Sequence, residues 1–338
     1  MWYNEPIPLE LTFYFRGRDF VMTGNIRLAA AFFWLIVSCL CWAANYIIAR
    51  LMMTRTHLTP SSVTFWRYLA AALIMFCAGM AVFGWKRFFA IRRPDWLPML
   101  GQGAVMSLVS LMLLWCERFN SAMDTAMVDA VIPVMIMLGG VFIGQKIRMV
   151  QLIGMMISLS GCLFVIRVVT PDGFRLSQLH WSDLLILGSA GSWALYVLWG
   201  RGIVRRVPSL VYTSWTLLSC TAAVGIYSLL DGRMLSLPQT SEGWWLLVWM
   251  ILFPTIGAFW AWNQASGVLA LPIRNISQYL IPVSAVVMAH FMLSEPLSAF
   301  QILGIFLIAC GVAMDPTISA RLKNWCGHFL HHVHSGGE

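Results

Sequence analysis

The residue best suited to do chemistry in this sequence is an aspartate inside a long apolar run. Asp129 lies four residues before Pro133, and Gln278 lies four residues before Pro282 in a second, similar run. If the first run begins near Ser121, a helical rise of 1.5 Å per residue places Asp129 about 12 Å along it. That depth is close to the middle of a hydrocarbon core about 30 Å thick, where a carboxylate needs a cavity or a partner. Asp129 and Gln278 are therefore candidate ligands for a substrate ammonium, and Asp129 is also a candidate proton-coupling site; an aspartate tied to a neighbouring helix is the alternative.

Three further ionisable side chains lie within or beside apolar runs. Arg67 could hold a substrate carboxylate, form a gating pair, or extend its side chain to the membrane interface. His290 and Glu295 could join Asp129 in proton coupling, although packing is the commoner role for a histidine in such a run.

Aromatic and amide side chains within the runs complete the candidate site. Aromatic rings offer stacking and cation–π contacts, and an amide that faced lipid would be costly, so both types can line a polar pocket. The candidate substrate-binding residues are Asp129, Gln278, Asn45, Tyr46, Trp42, Asn263, Tyr279 and Arg67.

The apolar runs that carry these residues dominate the chain. Of 338 residues, 59% are hydrophobic and 11% are charged, and the mean hydropathy is +0.76. A soluble domain carries about 25% charged residues, so a soluble enzyme, a disordered chain and a disulfide scaffold are excluded. The eight cysteines have no metal-binding spacing and are interpreted as small apolar residues. We expect no metal and no cofactor, and the absence of a Walker motif excludes ATP as the driving force.

Charged residues divide the chain into ten apolar runs, each close to the 20 or so residues that a transmembrane helix needs. Because lipid offers no water to the backbone, each run is expected to be a helix. The fold class is thus an all-α integral membrane protein with ten transmembrane helices. The runs are 28–49, 68–85, 96–116, 130–145, 149–166, 184–200, 207–230, 243–273, 275–294 and 296–314.

The positive charges predict the orientation. With a cytoplasmic N-terminus, fifteen of the 22 Lys and Arg residues, Arg274 among them, fall in cytoplasmic segments and six in outer loops. This positive-inside bias places both termini in the cytoplasm and accounts for much of the net charge of +8. We therefore expect no nucleic-acid partner.

An internal repeat relates the two halves. Trp42-Ala43 recurs as Trp193-Ala194 at an offset of 151, and Ile132-Pro133-Val134 recurs as Ile281-Pro282-Val283 at 149. Gln151, Gly154 and Gly161 recur as Gln301, Gly304 and Gly311 at 150. An odd number of spans per unit makes the second unit inverted, as in many secondary transporters. The predicted divisions are a cytoplasmic extension (1–27), two five-helix repeats (28–170 and 181–314) and a cytoplasmic tail (315–338).

These motifs carry a resemblance to a known family. Trp42-Ala43-Ala44-Asn45-Tyr46, with Phe65-Trp66-Arg67-Tyr68, resembles the first two helices of an EamA unit of the drug/metabolite transporter superfamily. Ile281-Pro282-Val283, Ser294-Glu295-Pro296-Leu297 and Gln301-Ile302-Leu303-Gly304 resemble the end of the second unit. The resemblance implies ten helices in two inverted units and export of amino acids or related metabolites. One departure is Gln145-Lys146, where the family usually has Gly-Glu.

The sequence thus predicts a multi-pass protein of the inner (plasma) membrane that is not an enzyme. Its expected function is secondary active export of an amino acid or related zwitterion by alternating access, with proton coupling as an option. Uptake or exchange of a nucleotide-like or cofactor-like solute is the alternative, and a membrane-embedded enzyme or scaffold is a third. The glycines at 154 and 161 and at 304 and 311 predict close-packed helix faces within the chain, with a dimer contact as the alternative. The expected partners are a small-molecule substrate, the lipid bilayer and, as an open option, a second copy of the chain.

Overall fold

The structure, a computed structural model, describes residues 24–119, 127–144, 147–165, 168–170, 173–174, 181–232, 234–293 and 297–314. Within these ranges the chain is almost entirely helical, with one antiparallel pair of two-residue strands, β1 (Val169–Thr170) and β2 (Gly173–Phe174). The helices are α1 (Gly24–Arg55), α2 (Pro60–Phe88), α3 (Arg93–Phe119), α4 (Met127–Phe142), α5 (Met149–Val165), α6 (Trp181–Gly200), α7 (Ser209–Leu230), α8 (Ser241–Met250), a π-helical segment (Ile251–Gly257), α9 (Ala258–Val268), α10 (Leu271–Ser277), α11 (Leu280–Leu293) and α12 (Ala299–Ala313).

Five helical segments in the described ranges are long and apolar enough to cross a membrane, by length and composition. They are Arg27–Arg55, Pro60–Phe88, Arg93–Cys116, Ser209–Leu230 and Ser241–Val268. The last of these joins α8, the π-helical segment and α9 into one continuous rod, here called the α8–α9 rod. Shorter apolar helices are Val131–Phe142, Met149–Val165 and Ala299–Ala313. Helices satisfy their own backbone hydrogen bonds, as a lipid environment requires.

Local sequence signals determine where several helices begin. The Thr59 hydroxyl accepts a hydrogen bond from the Ser62 backbone N–H at 3.2 Å, and Pro60 occupies the first turn of α2. At α12, Ser298 and Gln301 form a reciprocal capping box. Gly84 breaks α2 near its end, with a φ of 70° that favours glycine. The two caps thus stabilise the starts of α2 and α12, and Gly84 interrupts α2 near its end.

Two ion pairs identify the two ends of the bundle. Arg55 at the end of α1 pairs with Glu242 at the start of α8, with an Nη1–Oε1 distance of 2.6 Å. Arg206, which follows α6, pairs with Asp95 at the start of α3, with an Nη2–Oδ1 distance of 2.6 Å. Because α2 runs from the first pair toward the start of α3, the pairs lie at opposite ends, named here the Arg55 end and the Arg206 end.

The two ion pairs differ in burial, which predicts different contributions to stability. The Arg55 and Glu242 side chains are 57% and 51% exposed, whereas Asp95 is only 6% exposed beneath a 46% exposed Arg206. Solvent and salt screen the first pair, so Glu242→Gln should lower the free energy of unfolding by less than about 0.5 kcal/mol. Asp95→Asn removes a charge-assisted hydrogen bond from a buried carboxylate and should cost about 1–2 kcal/mol. Chemical unfolding in detergent measures both, and equal costs would contradict this assignment.

Helices α5 and α12 cross in an antiparallel arrangement through four glycines. A Cβ at Gly154 would lie 2.7 Å from the Gly311 carbonyl oxygen, and one at Gly161 would lie 2.6 Å from the Gly304 carbonyl oxygen. The contacts are reciprocal, because a Cβ at Gly311 or Gly304 would in turn meet the opposite glycine carbonyl. Small residues here let the two backbones touch. In the sequence repeat Gly154 corresponds to Gly304, and Gly161 corresponds to Gly311. The contacts are crossed relative to this repeat, because Gly154 meets Gly311 and Gly161 meets Gly304.

The other helices also pack in equivalent pairs. Helix α1 packs against the α8–α9 rod and α11, and its counterpart α6 packs against α3 and α4. Helix α2 packs against its own counterpart α7. These contacts follow the order of the sequence repeat, and they enclose a space between the two halves.

Candidate substrate cavity

A cavity lies among the helices toward the Arg55 end of the bundle. It encloses about 650 Å³ of space between atoms, including space open to solvent. Both halves of the chain contribute to its wall. The lining residues are Trp42, Asn45, Tyr46, Arg67, Tyr68, Met106, Val109, Ser110, Leu113, Leu114, Ile132, Ser189, Trp193, Phe259, Gln278 and Ile281.

Arg67 is the charged residue among the described residues of this lining. Its side chain comes from the first third of α2 and is 5% exposed. The guanidinium donates from Nε to the Thr255 hydroxyl and lies 5.3 Å from the centre of the Tyr68 ring. Among the described residues no carboxylate lies within ion-pair distance of Arg67. A buried cation without a counter-ion is costly, and a substrate anion would compensate it.

The π-helical segment positions the hydroxyl that holds Arg67. Pro254 lacks a backbone N–H and interrupts the α-helical hydrogen bonding within the α8–α9 rod. The Thr255 hydroxyl donates to the Met250 carbonyl oxygen at 2.7 Å and accepts from Arg67. Single π-helical turns often mark functional sites, and this one fixes the direction of the arginine.

Two amide side chains, Asn45 and Gln278, also line the cavity. Gln278, at the junction of α10 and α11, accepts a hydrogen bond from the Trp193 indole N–H at 2.9 Å. Gln278 Nε2 and Asn45 Oδ1 are buried and have no hydrogen-bond partner among the described residues. Unpaired polar atoms cost free energy, so both amides can gain by meeting a polar ligand.

Aromatic rings close the cavity toward the Arg206 end. Trp42 lies at the centre, with ring-centroid distances of 5.1 Å to Trp193, 5.6 Å to Phe259 and 5.4 Å to Trp262. Trp193 also stacks on Tyr196 at 5.2 Å. Trp42, Trp193 and Phe259 line the cavity, whereas Trp262 lies behind them and is 2% exposed. These four residues, Trp42, Trp193, Phe259 and Trp262, form the aromatic layer. Trp42 and Trp193 are counterparts in the sequence repeat, so the layer lies where the two halves meet.

The candidate residues named from sequence fall into three groups. Trp42, Asn45, Tyr46, Arg67 and Gln278 line the cavity. Asn263, Tyr279 and His290 lie away from the cavity. Asn263 lies behind the aromatic layer and donates to the Thr213 hydroxyl at 2.8 Å. Tyr279 packs with Met155, Cys162 and Ile308, and His290 lies near the end of α11. Asp129 belongs to α4, but its side chain lies outside the described part of the structure, as does all of Glu295.

Several positions in or beside the cavity were not singled out from sequence. Tyr68, Ser110 and Ser189 line the cavity, and Thr255 holds Arg67. Tyr68 could have been found from its place beside Arg67, but serine and threonine occur throughout membrane helices and carry no such signal. Arg274, counted from sequence among the loop charges, lies within α10 and is 3% exposed.

The described lining of the cavity carries groups that can bind a small polar solute. Its described lining offers one guanidinium, amides, hydroxyls and aromatic faces, and the described residues contain no cluster of three His, Cys, Asp or Glu side chains able to hold a metal ion. A bundle of long apolar helices around such a cavity defines a membrane protein that binds a small solute.

The chain belongs to the EamA-like transporter family, which matches residues 29–167 and again residues 180–314. Similar proteins include the uncharacterized transporter YyaM of Bacillus subtilis, 22% identical over 76% of this chain and 84% of the relative. The uncharacterized inner membrane transporter YedA of Escherichia coli is 23% identical over 81% of this chain and 86% of the relative. An uncharacterized transporter of Archaeoglobus fulgidus is 22% identical over 82% of this chain and 94% of the relative.

A solved crystal structure has the same fold. It aligns with a TM-score of 0.70 and 18% sequence identity over 87% of this chain and 99% of the matched chain. The family membership confirms the resemblance found in the sequence. The protein is a multi-pass transporter of the plasma membrane and not an enzyme.

Proposed function

We propose that this transporter is a secondary active exporter of a small zwitterionic metabolite, such as an amino acid. The cavity between the two halves is the binding site, and it opens to each side of the membrane in turn. ATP plays no part in this cycle. The proposal takes both termini, and with them the Arg206 end, to be cytoplasmic, in agreement with the distribution of positive charge.

Arg67 is the observation that carries the proposal. Its guanidinium is buried in the cavity wall, fixed in direction by Thr255, and no described carboxylate neutralises it. A substrate carboxylate would accept hydrogen bonds from the guanidinium nitrogens that face away from Thr255, in the bidentate geometry that arginine favours.

The rest of the cavity suits the positive part of a zwitterion. Trp42, Tyr46 and Trp193 line the cavity, and aromatic faces attract ammonium groups. The Asn45 amide oxygen lacks a partner among the described residues and can accept from an ammonium. Gln278 and, in this proposal, its counterpart Asp129 would meet the same group from opposite halves.

The helix packing supports two inverted five-helix units and, with them, alternating access. Counterpart helices α5 and α12 run antiparallel and exchange reciprocal glycine contacts, as two units of opposite orientation would. The two ion pairs also correspond, because each links the end of a unit's first helix to the start of the other unit's third helix. Inverted units of this kind commonly rock around a site near the membrane midplane.

The test is a flux screen in proteoliposomes with labelled amino acids and polar metabolites. We expect accelerated flux of one or a few zwitterions, without any need for substrate on the far side. Strict dependence on a counter-substrate would favour the exchange alternative, and flux of nucleotide-like solutes alone would contradict the zwitterion proposal.

Proton coupling is the part of the proposal that rests on Asp129, His290 and Glu295. We expect Asp129→Asn to remove the dependence of flux on an imposed pH gradient, because the amide cannot exchange a proton. Glu242→Gln is the matched control, since it neutralises an exposed carboxylate outside the cavity. An Asp129→Asn protein with wild-type flux and pH dependence would exclude the coupling role.

A further inference from the structure

A second buried arginine lies on the far side of the aromatic layer from Arg67. Arg274 is 3% exposed, and its Nη1 donates to the Ser266 hydroxyl at 2.5 Å. The guanidinium carbon lies 5.7 Å from the centre of the Trp262 ring. Its Nε has no hydrogen-bond partner, and among the described residues no carboxylate lies within ion-pair distance. Arg274 is therefore a buried cation without a described counter-ion, like Arg67.

Polar groups with unused hydrogen-bonding capacity lie behind the aromatic layer with Arg274. Asn263 donates to Thr213, but its Oδ1 has no partner among the described residues. Gln102 accepts from the Tyr212 hydroxyl, while its Nε2 is buried and also without a partner there. The Tyr212 ring lies 6.5 Å from the Tyr196 ring, which stacks on Trp193 of the aromatic layer. Such a cluster is costly in an apolar bundle unless a polar ligand enters it.

The two arginines are linked to a single helical rod. Arg67 bonds to Thr255 and Arg274 bonds to Ser266, and both partners belong to the α8–α9 rod. Eleven residues separate these partners, or roughly 16 Å at 1.5 Å per residue. Phe259 and Trp262, two members of the aromatic layer, lie between them on the same rod. Arg67 thus lines the cavity on the Arg55 side of the aromatic layer, and Arg274 lies on the Arg206 side of this layer.

We propose that Arg274, with Ser266 and Asn263, forms a second anion-binding site that receives the substrate's carboxylate on the Arg206 side of the aromatic layer. This inference rests on the proposed function, because it assigns a second binding position for the substrate along the same transport path. The carboxylate contacts the two guanidiniums in succession, so each buried cation meets an anion during part of the cycle. The ligand class is a small organic anion or the anionic part of a zwitterion.

Iodide quenching of tryptophan fluorescence tests the site without knowledge of the substrate. Iodide is a small anion that quenches an indole on contact, and Trp262 lies against Arg274. The full chain in detergent should show a saturable quenching component that disappears in Trp262→Phe. Arg274→Gln should weaken its apparent affinity by about tenfold or more, because a charge-assisted contact is lost. Arg274→Lys should retain it in part, and Arg205→Gln, which removes an exposed charge nearby, should change it by less than about twofold.

The outcomes separate this inference from the proposed function. Quenching that is not saturable, or that is unchanged in Trp262→Phe, would overturn the Arg274 site even where amino-acid flux is present. If Arg274→Gln fails to fold, the comparison of the wild type, Trp262→Phe and Arg274→Lys decides the question. A saturable Trp262 component without flux of any zwitterion would support the anion site and contradict the zwitterion proposal. With a substrate in hand, Arg274→Gln should raise the KM measured from the Arg206 side more than the KM from the Arg55 side.

Discussion

Arg67→Gln should reduce substrate flux by about 100-fold, the largest effect expected of any substitution in this protein. A bidentate guanidinium–carboxylate contact is worth a few kcal/mol, and about 2.7 kcal/mol corresponds to 100-fold. The loss should appear mainly as weaker binding, since the proposed contact holds the substrate in the cavity. Initial rates of counterflow in proteoliposomes over a range of substrate concentrations measure it.

Two variants control for charge and folding. Arg67→Lys keeps the charge but loses the fork geometry, so it should recover only part of the flux. Arg50→Gln removes an exposed arginine of α1 that lies outside the cavity, and it should transport like the wild type. Full flux in Arg67→Gln, with protein folded as judged by gel filtration, would show that the substrate makes no essential contact with this guanidinium.

Gly161→Ala should give one of the largest losses of stability expected of a single substitution. The added methyl would lie 2.6 Å from the Gly304 carbonyl oxygen and 2.9 Å from the Ile308 nitrogen, and neither backbone atom can move without separating α5 from α12. Overpacking of this kind costs about 1–3 kcal/mol and sometimes more. The free energy of unfolding in mixed micelles should fall accordingly, and Gly304→Ala should behave in the same way.

Gly191→Ala in α6 provides the opposite expectation. A Cβ at Gly191 would have nothing within 4 Å, so the substitution should stabilise the helix through alanine's higher propensity, by up to about 1 kcal/mol. If Gly161→Ala and Gly191→Ala shifted stability in the same direction, the close contact between α5 and α12 would not be what requires glycine.

Much of the fold follows from where charged residues fall along the sequence. The charge-free runs 28–49 and 68–85 lie within helices α1 and α2, because lipid excludes charge and leaves the backbone only helical hydrogen bonding. The repeat of glycines in α5 and α12 also predicted close packing. What the sequence did not specify was the partner, since small residues suit an intramolecular contact and a dimer equally well.

The candidate site was only partly predictable, because the direction in which a side chain points depends on how distant segments pack. Counting charges assumes that Lys and Arg lie at helix ends, and the structure instead places Arg274 inside α10 against Trp262. Asn263 and Tyr279 have the right chemistry for a cavity wall, but the direction of a helix face depends on packing between distant segments. A single sequence shows the period of a helix and not which neighbour its polar face meets.

The π-helical turn that holds Arg67 makes the two halves unequal. Its counterpart in the first half, α3, is a continuous α-helix, and Arg67 aligns with Thr216 when Trp66 is matched to Trp215. A transporter made of two identical inverted halves would bind its substrate equally well from either side of the membrane. Here the two sides differ in chemistry, so they should differ in affinity. Thermodynamic linkage then requires bound substrate to shift the equilibrium between the two conformations by the difference between their binding free energies. A threonine, its proline neighbour and the arginine they orient thus give the carrier two conformations of unequal substrate affinity, while the gradients across the membrane determine the direction of net flux.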